Sequence, residues 1–200
     1  MNISFNNSAW IYCKSRYYTC YDAIDESRIF TFETGLNSLI GEIDSGIFAI
    51  SYILSMGRTS KRAFFATAPV VTVDGEEMEL SEFSALSCYV DESYPLISKR
   101  KTVRQMINEG LKKSKLKLTA DNIIELFKLS DDRVDRRLNE IGNERFRAMV
   151  AICFANNKKV FCFPWMSESK INDFKGHISF VIDLLSKHGA VIILPSSKPI

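Results

Sequence analysis

Two short runs of uninterrupted apolar residues, Val-Phe-Cys-Phe at 160–163 and Val-Ile-Ile-Leu at 191–194, set the strongest limit on how this chain can fold. A strand with no polar residue on either face must be covered on both sides, and such strands belong to parallel sheets sandwiched by helices. Segments with helical spacing precede each run, at about 145–154 and about 171–187. This alternation defines an α/β core. The chain has 200 residues, 46% of them hydrophobic and 25% charged, which suits a single domain over 1–200 that buries its own core.

The segments ahead of that core fill in the class. Aromatic and β-branched runs within 9–32, Trp10-Ile11-Tyr12 and Ile29-Phe30-Thr31-Phe32 among them, read as short strands of an N-terminal antiparallel portion. An apolar run at 36–40, a glycine-bounded stretch at 41–46 and a long apolar run at 47–56 read as strand, loop and helix. One or two strands follow at 63–73, ending at a turn marked by Asp74-Gly75, with another strand at 86–90. Residues 102–147 change character: Val103, Met106, Ile107 and Leu111, then Ile123, Ile124, Leu126, Phe127 and Leu129, recur at helical spacing, with an N-cap region at Thr119-Ala120-Asp121. The expectation is a helical insert, a subdomain at about 96–147, with no internal repeat anywhere.

Charge and cysteine usage narrow the partners. A net charge of +2 from 26 basic and 24 acidic residues gives no electrostatic reason to expect nucleic acid, and the lysines at 112–117 read as a solvated face. Cys13, Cys20, Cys88, Cys153 and Cys162 are odd in number and scattered, and His177 and His188 stand far from any cysteine pair. That pattern predicts reduced thiols in a cytoplasmic protein and no metal site. No run reaches the roughly 18 apolar residues of a membrane span, and the N-terminus lacks a signal-peptide layout. Any membrane association is expected through a partner.

The glycine loop is where chemistry should sit. A phosphate-binding loop needs G-x-x-x-x-G-K-[ST]: glycines let backbone amides wrap the phosphates, lysine neutralises them, and the hydroxyl holds magnesium. Here the frame is Gly41, Ser45, Gly46, Ile47 and Phe48, so both glycines stand while lysine and hydroxyl are replaced by Ile47 and Phe48. Two glycines at this distance also fit a plain strand-turn-helix.

The order of later segments resembles the nucleotide-binding subunit, or ATP-binding cassette, of ABC transporters. Tyr18 precedes the loop where that family stacks an aromatic on adenine. Cys88-Tyr-Val-Asp-Glu-Ser-Tyr-Pro-Leu96 is similar to the Q-loop segment, with Glu92 at the glutamine position. In Glu140-Ile-Gly-Asn-Glu-Arg-Phe-Arg147 the signature motif is matched by Gly142, Glu144 and Arg147, while Ile141 and Asn143 replace serine and the second glycine. After the strand at 160–163, Pro164 and Trp165 occupy the places of the metal-holding aspartate and the water-activating glutamate, and Ser196 that of the switch histidine. The resemblance runs from about residue 10 to 197.

What it implies is a P-loop NTPase-like parallel sheet with an antiparallel β portion and a helical insert, but without a working catalytic set. Hydrolysis needs electrostatic stabilisation of the transferring phosphoryl group and a positioned water. Ile47, Phe48, Pro164, Trp165 and Ser196 supply neither. The expectation is a pseudo-ATPase with weak or absent ATP binding and no cofactor. It would partner an active cassette, a second copy or a membrane permease in an export-type system, peripheral to the cytoplasmic face, with Tyr94, Pro95 and Leu96 as candidate permease contacts. A free-standing regulatory or inhibitory protein with the same fold is the alternative.

Overall fold

The computed structural model describes residues 1–6, 9–14, 19–24, 29–42, 45–56, 63–65, 70–114 and 116–200, with the strands at 9–14, 19–24 and 63–65 described by their backbone pairing. The chain divides into two compact units, Met1–Tyr89 with Val160–Ile200, and Val90–Lys159. Residues 96–147 fall inside the second.

The first unit is built on a parallel sheet. Its strands are β5 (Gly35–Ile40), β9 (Ser87–Tyr89), β10 (Val160–Cys162) and β11 (Val191–Ser196), in the order β5-β11-β10-β9. Every residue of β9, β10 and β11 is buried, as the uninterrupted apolar runs require. Helix α1 (Ile47–Met56) packs on β9, β10 and β11, and α7 (Glu168–Lys187) packs on β5 and β11. Almost all of α1 is buried, its serines included, and each serine finds a carbonyl: Ser51 Oγ donates to Phe163 O at 2.5 Å and Ser55 Oγ to Ser51 O at 2.8 Å. Ser87 of β9 does the same toward α1, donating from Oγ to Leu54 O at 2.6 Å. These bonds let a polar hydroxyl sit in the core without the cost of an unmet donor.

Two antiparallel sheets complete this unit. One has the order β4-β1-β7-β8, from β1 (Asn2–Phe5), β4 (Phe30–Glu33), β7 (Val70–Val73) and β8 (Glu76–Glu79). The other is β3-β2-β6, from β2 (Ala9–Lys14), β3 (Thr19–Ile24) and β6 (Ala63–Phe65). Strand β1, ahead of where the resemblance begins, pairs with both β4 and β7 and buries Ile3 and Phe5. A short helix, α2 (Leu80–Leu86), burying Leu80 and Phe83, is likewise an addition to the sequence reading.

The second unit is helical. Helix α3 (Val103–Lys113) and α4 (Ala120–Leu126) each start in a capping box, Thr102 with Gln105 and Thr119 with Asn122. After α5 (Asp131–Val134) come two short 3-10 turns, Leu138–Glu140 and Gly142–Glu144, and then α6 (Arg145–Ala155). Both α3 and α4 pack on α6. Phe127 meets Phe154 edge-on at 5.5 Å, and eight consecutive residues of α6 from Ala148 are buried.

Candidate functional site

The loop joining β5 to α1 is closed from within. Gly46 holds φ at +86°, a backbone region in which a side chain would be strained, and its carbonyl accepts the N–H of Ile50 at 3.2 Å to start the helix. Ser45 turns back on the loop: its N–H and its Oγ both donate to Glu42 O, at 3.2 and 2.6 Å. A Cβ placed on Gly41 would lie 2.6 Å from Ser45 Oγ and 3.5 Å from Ile47 Cδ1, so the side chains of Ser45 and Ile47 occupy the space beside Gly41. Ile47 and Phe48 are each only 1% exposed, and Phe48 stacks on Tyr52 at 5.9 Å. The segment 41–48 carries Glu42 and Asp44 and no basic residue.

The segment after β10 seals the same place from the other side. Phe163 N–H donates to Ile193 O at 2.9 Å, Met166 N–H to Pro195 O at 3.0 Å, and Ser197 N–H to Met166 O at 3.1 Å, which prolongs the sheet past β10. Pro164 is buried within this extension. Half-buried Trp165 donates its indole N–H to Gly41 O at 3.0 Å, while Gly41 N–H donates to Ser196 O at 3.0 Å. Ser196 is fully buried and its Oγ donates to Lys198 O at 2.8 Å, so its hydroxyl serves the local turn. Lys198 is held by Glu168 at 2.7 Å and Asn172 at 3.2 Å. Gly41, Ser45, Gly46, Ile47, Trp165 and Ser196 thus gather at the C-terminal ends of β5, β10 and β11. Tyr18 lies outside the described residues.

In the second unit Glu92 pairs with Arg145 at 2.8 Å, and that guanidinium also donates to the carbonyls of Leu138 at 3.3 Å and Asn139 at 3.1 Å. Glu92 borders a cavity of about 250 Å³ together with Ile97, Ser98, Lys99, Leu138 and Asn139. The contact candidates beside it divide. Tyr94 is buried, because the backbone turns tightly through Tyr94 N–H to Asp91 O and Ile97 N–H to Tyr94 O, at 3.1 and 2.8 Å. It therefore offers no exposed aromatic surface; Pro95 is exposed and Leu96 half-buried.

Among the signature-position residues, Ile141 is buried, Gly142 is exposed, and Arg147 is half-buried. Asn143 accepts from Arg133 at 3.1 Å. Glu144 is turned inward, 6% exposed; its carboxylate accepts from the backbone N–H of Ser130 at 3.0 Å and from the Ser130 hydroxyl, and lies 3.5 Å from Arg133. Ser130, Arg133 and Arg145 are the residues the sequence reading missed. Nothing local in the sequence marks them, since the side-chain-to-side-chain pairs they make are 10 to 53 residues apart.

Cys88, Cys153 and Cys162 are buried thiols outside any disulfide, and burial pushes the Cys162 thiol far above the ordinary cysteine range, opposed in part by a hydrogen bond with Ser55. Among the described residues no three His, Cys, Asp or Glu side chains converge on a point, and no helix is long and apolar enough to cross a membrane.

No protein-family model and no curated protein matches the chain. Solved structures do. A protein of Pyrococcus furiosus assigned as an ABC transporter ATP-binding protein superposes with a TM-score of 0.65 at 13% identity, over 100% of this chain and 93% of its own. A bacterial ABC transporter cassette solved as a dimer gives 0.61 at 13% identity over 98% of this chain and 88% of its own. The same cassette in a post-hydrolysis dimeric state bound to ADP and Pi gives 0.62 with the same identity and coverage. At this identity the likeness establishes fold: the chain has the ATP-binding cassette fold of these proteins.

Proposed function

We propose that this chain is an ABC cassette subunit that has lost hydrolysis and acts as a structural or regulatory partner of an active cassette, of a membrane permease, or of both, in an export-type transporter. The observation that carries the reading is the closure of the loop around Gly41, filled by Ser45 and Ile47 and bound by the Trp165 indole. A triphosphate does not suit these residues. It would be placed beside Glu42 and the buried Ile47 and Phe48, with no cation in the segment to compensate it, and an uncompensated buried charge is strongly disfavoured. Pro164, Trp165 and Ser196 offer no carboxylate or imidazole at the other catalytic positions.

The dimeric state of the similar bacterial cassette supports a second cassette as partner. In the ABC family each nucleotide lies between one P-loop and the signature segment of the other subunit. Glu144 here spends its carboxylate on Ser130 and Arg133, so the signature-position segment serves the subunit's own packing, which supports a role in shape and contact. Co-expression with the active cassette and permease of an export system tests this. Comigration with either, dependent on exposed Pro95 and half-buried Leu96, is expected; a chain that elutes alone in every combination and leaves the cassette's turnover unchanged would sink the reading.

A further inference from the structure

The two units differ in charge: residues 90–159 carry 16 basic and 10 acidic residues, the rest of the chain 10 and 14. Part of that excess gathers at one end of the helical unit. Gly110, near the end of α3, abuts Ala155 and Asn156 where α6 stops: a Cβ on it would lie 2.5 Å from Asn156 Nδ2 and 3.0 Å from the Ala155 carbonyl carbon. The two helices therefore finish side by side. Lys112 and Lys113 stand on the last turn of α3, and Lys117 follows in a segment tied back by Leu116 N–H donating to Ser114 Oγ at 3.4 Å. Beyond α6 the backbone turns at Asn157, with φ +58°, and Lys158 N–H donates to Cys153 O at 3.3 Å, a helix-ending turn that leads into Lys159. Lys112, Lys113, Lys117 and Lys159 are exposed, and among the described residues none of them forms an ion pair. Residues 110–120 and 145–159 contain no acid, and Glu109, within electrostatic reach of Lys112 and Lys113, is already held by Lys101 at 2.6 Å.

We propose that this lysine-rich end of the helical unit binds directly to the surface of a membrane that contains anionic phospholipid. Unneutralised lysines gathered in this way are attracted to anionic headgroups over a Debye length. The composition of the patch separates a lipid surface from nucleic acid or another soluble polyanion. Its cations are all lysines, point charges without the guanidinium fork that grips a phosphate through two bonds, and residues 108–120 and 155–159 contain no aromatic ring on which a base could stack. Leucines are interleaved instead. In Leu111-Lys-Lys-Ser-Lys-Leu-Lys-Leu118, Leu118 is 37% exposed and Leu111 and Leu116 are half-buried. A membrane interface takes both kinds of group, ammonium among the headgroups and leucine at the acyl boundary. The contact is peripheral and reversible, and it needs neither the loop at Gly41 nor a permease.

Cosedimentation of the full chain with vesicles tests it. Binding is expected to phosphatidylcholine vesicles carrying about one-third phosphatidylserine, not to phosphatidylcholine alone, and is expected to be lost in about 0.5 M salt, where the Debye length falls to about 4 Å. Replacing Lys112→Gln together with Lys113→Gln is expected to weaken binding about 25-fold, since each lysine at an anionic surface contributes about fivefold. Both sites are exposed, so the thermal transition should not move. Lys175→Gln with Lys187→Gln, at exposed positions of α7, removes the same charge elsewhere and is expected to leave vesicle binding within about twofold. Leu118→Ala is expected to weaken vesicle binding while binding of inorganic polyphosphate stays unchanged. The unmodified chain decides the matter by itself if the paired variant does not fold: failure to sediment with the anionic vesicles, or equal binding to neutral ones, overturns the proposal. So does equal weakening by the α7 pair, or vesicle binding that Leu118→Ala leaves intact and polyphosphate fully displaces, which would make a soluble polyanion the partner.

Discussion

The indole N–H of Trp165 donates to the carbonyl oxygen of Gly41 at 3.0 Å, across 124 residues of sequence. The contact joins the two places where a phosphate-handling site would keep its backbone cradle and its water-activating carboxylate. Tryptophan supplies one donor and a large apolar ring, and here both close the loop. Replacing Trp165 by Phe keeps most of the ring and removes the donor, which is expected to cost about 1 kcal/mol. Trp165→Ala also opens a void and is expected to cost about 3 kcal/mol. Urea unfolding of the two variants reads the difference; equal stability in all three chains would show that the contact does not hold the loop.

Phe48 packs the interior of its own unit. With 1% exposure and a stack on Tyr52, Phe48→Asp places a carboxylate in the core and is expected to remove the cooperative unfolding transition, while Phe48→Leu loses about 1 kcal/mol. Circular dichroism and urea melts check this. A folded, monodisperse Phe48→Asp chain would contradict the burial and move the residue to the surface.

Glu144 and its neighbour Asn143 should part company under mutation. Glu144→Ala leaves the backbone N–H and hydroxyl of Ser130 without their acceptor and Arg133 without its carboxylate, a loss of about 2 kcal/mol. Asn143→Ala, at an exposed position whose side chain accepts from the half-exposed Arg133, is expected to cost under about 0.5 kcal/mol. Comparable losses at the two positions would mean that the inward carboxylate is not the anchor.

Burial holds the Cys162 thiol in its neutral form, with its pKa raised above the unfolded value. For a group raised in this way the stabilising contribution is complete below the unfolded thiol's pKa, about 8.5, and declines as pH rises beyond it. The chain is therefore expected to lose stability above that pH, and Cys162→Ala to lose less over the same interval. Iodoacetamide labelling followed by mass spectrometry should leave Cys162 unmodified in the native chain and modify it only on unfolding. Rapid native labelling would contradict the burial.

How much was legible depended on length and continuity. The parallel strands at 160–163 and 191–194 and the helix at 47–56 announced themselves because an unbroken or nearly unbroken apolar run has few other fates. The chain's Thr102 and Thr119 starts were equally visible as capping chemistry, although only Thr119 was picked out. Strand β1 escaped notice because four residues with two apolar ones, Ile3 and Phe5, carry almost no periodicity. Helix α2 buries only Leu80 and Phe83 in seven residues and gives as little. The aromatic Tyr94 looked like a contact because composition cannot tell which way a tight turn rolls its side chain. The candidate site was legible as a set of substitutions along an ordered frame. Its closure was not, because the bonds of Trp165 to Gly41 and of Gly41 to Ser196 join segments that only the folded sheet brings together.

The most direct test of the account is phosphate release from Mg-ATP by the purified chain, with Gly41→Val as the loop control, since a Cβ there meets Ser45 Oγ at 2.6 Å. The account predicts no magnesium-dependent release above the level of that control, and none gained by Ile47→Lys alone, because catalytic groups that act as a unit are not restored singly. Turnover in the unmodified chain that Gly41→Val abolishes would contradict it.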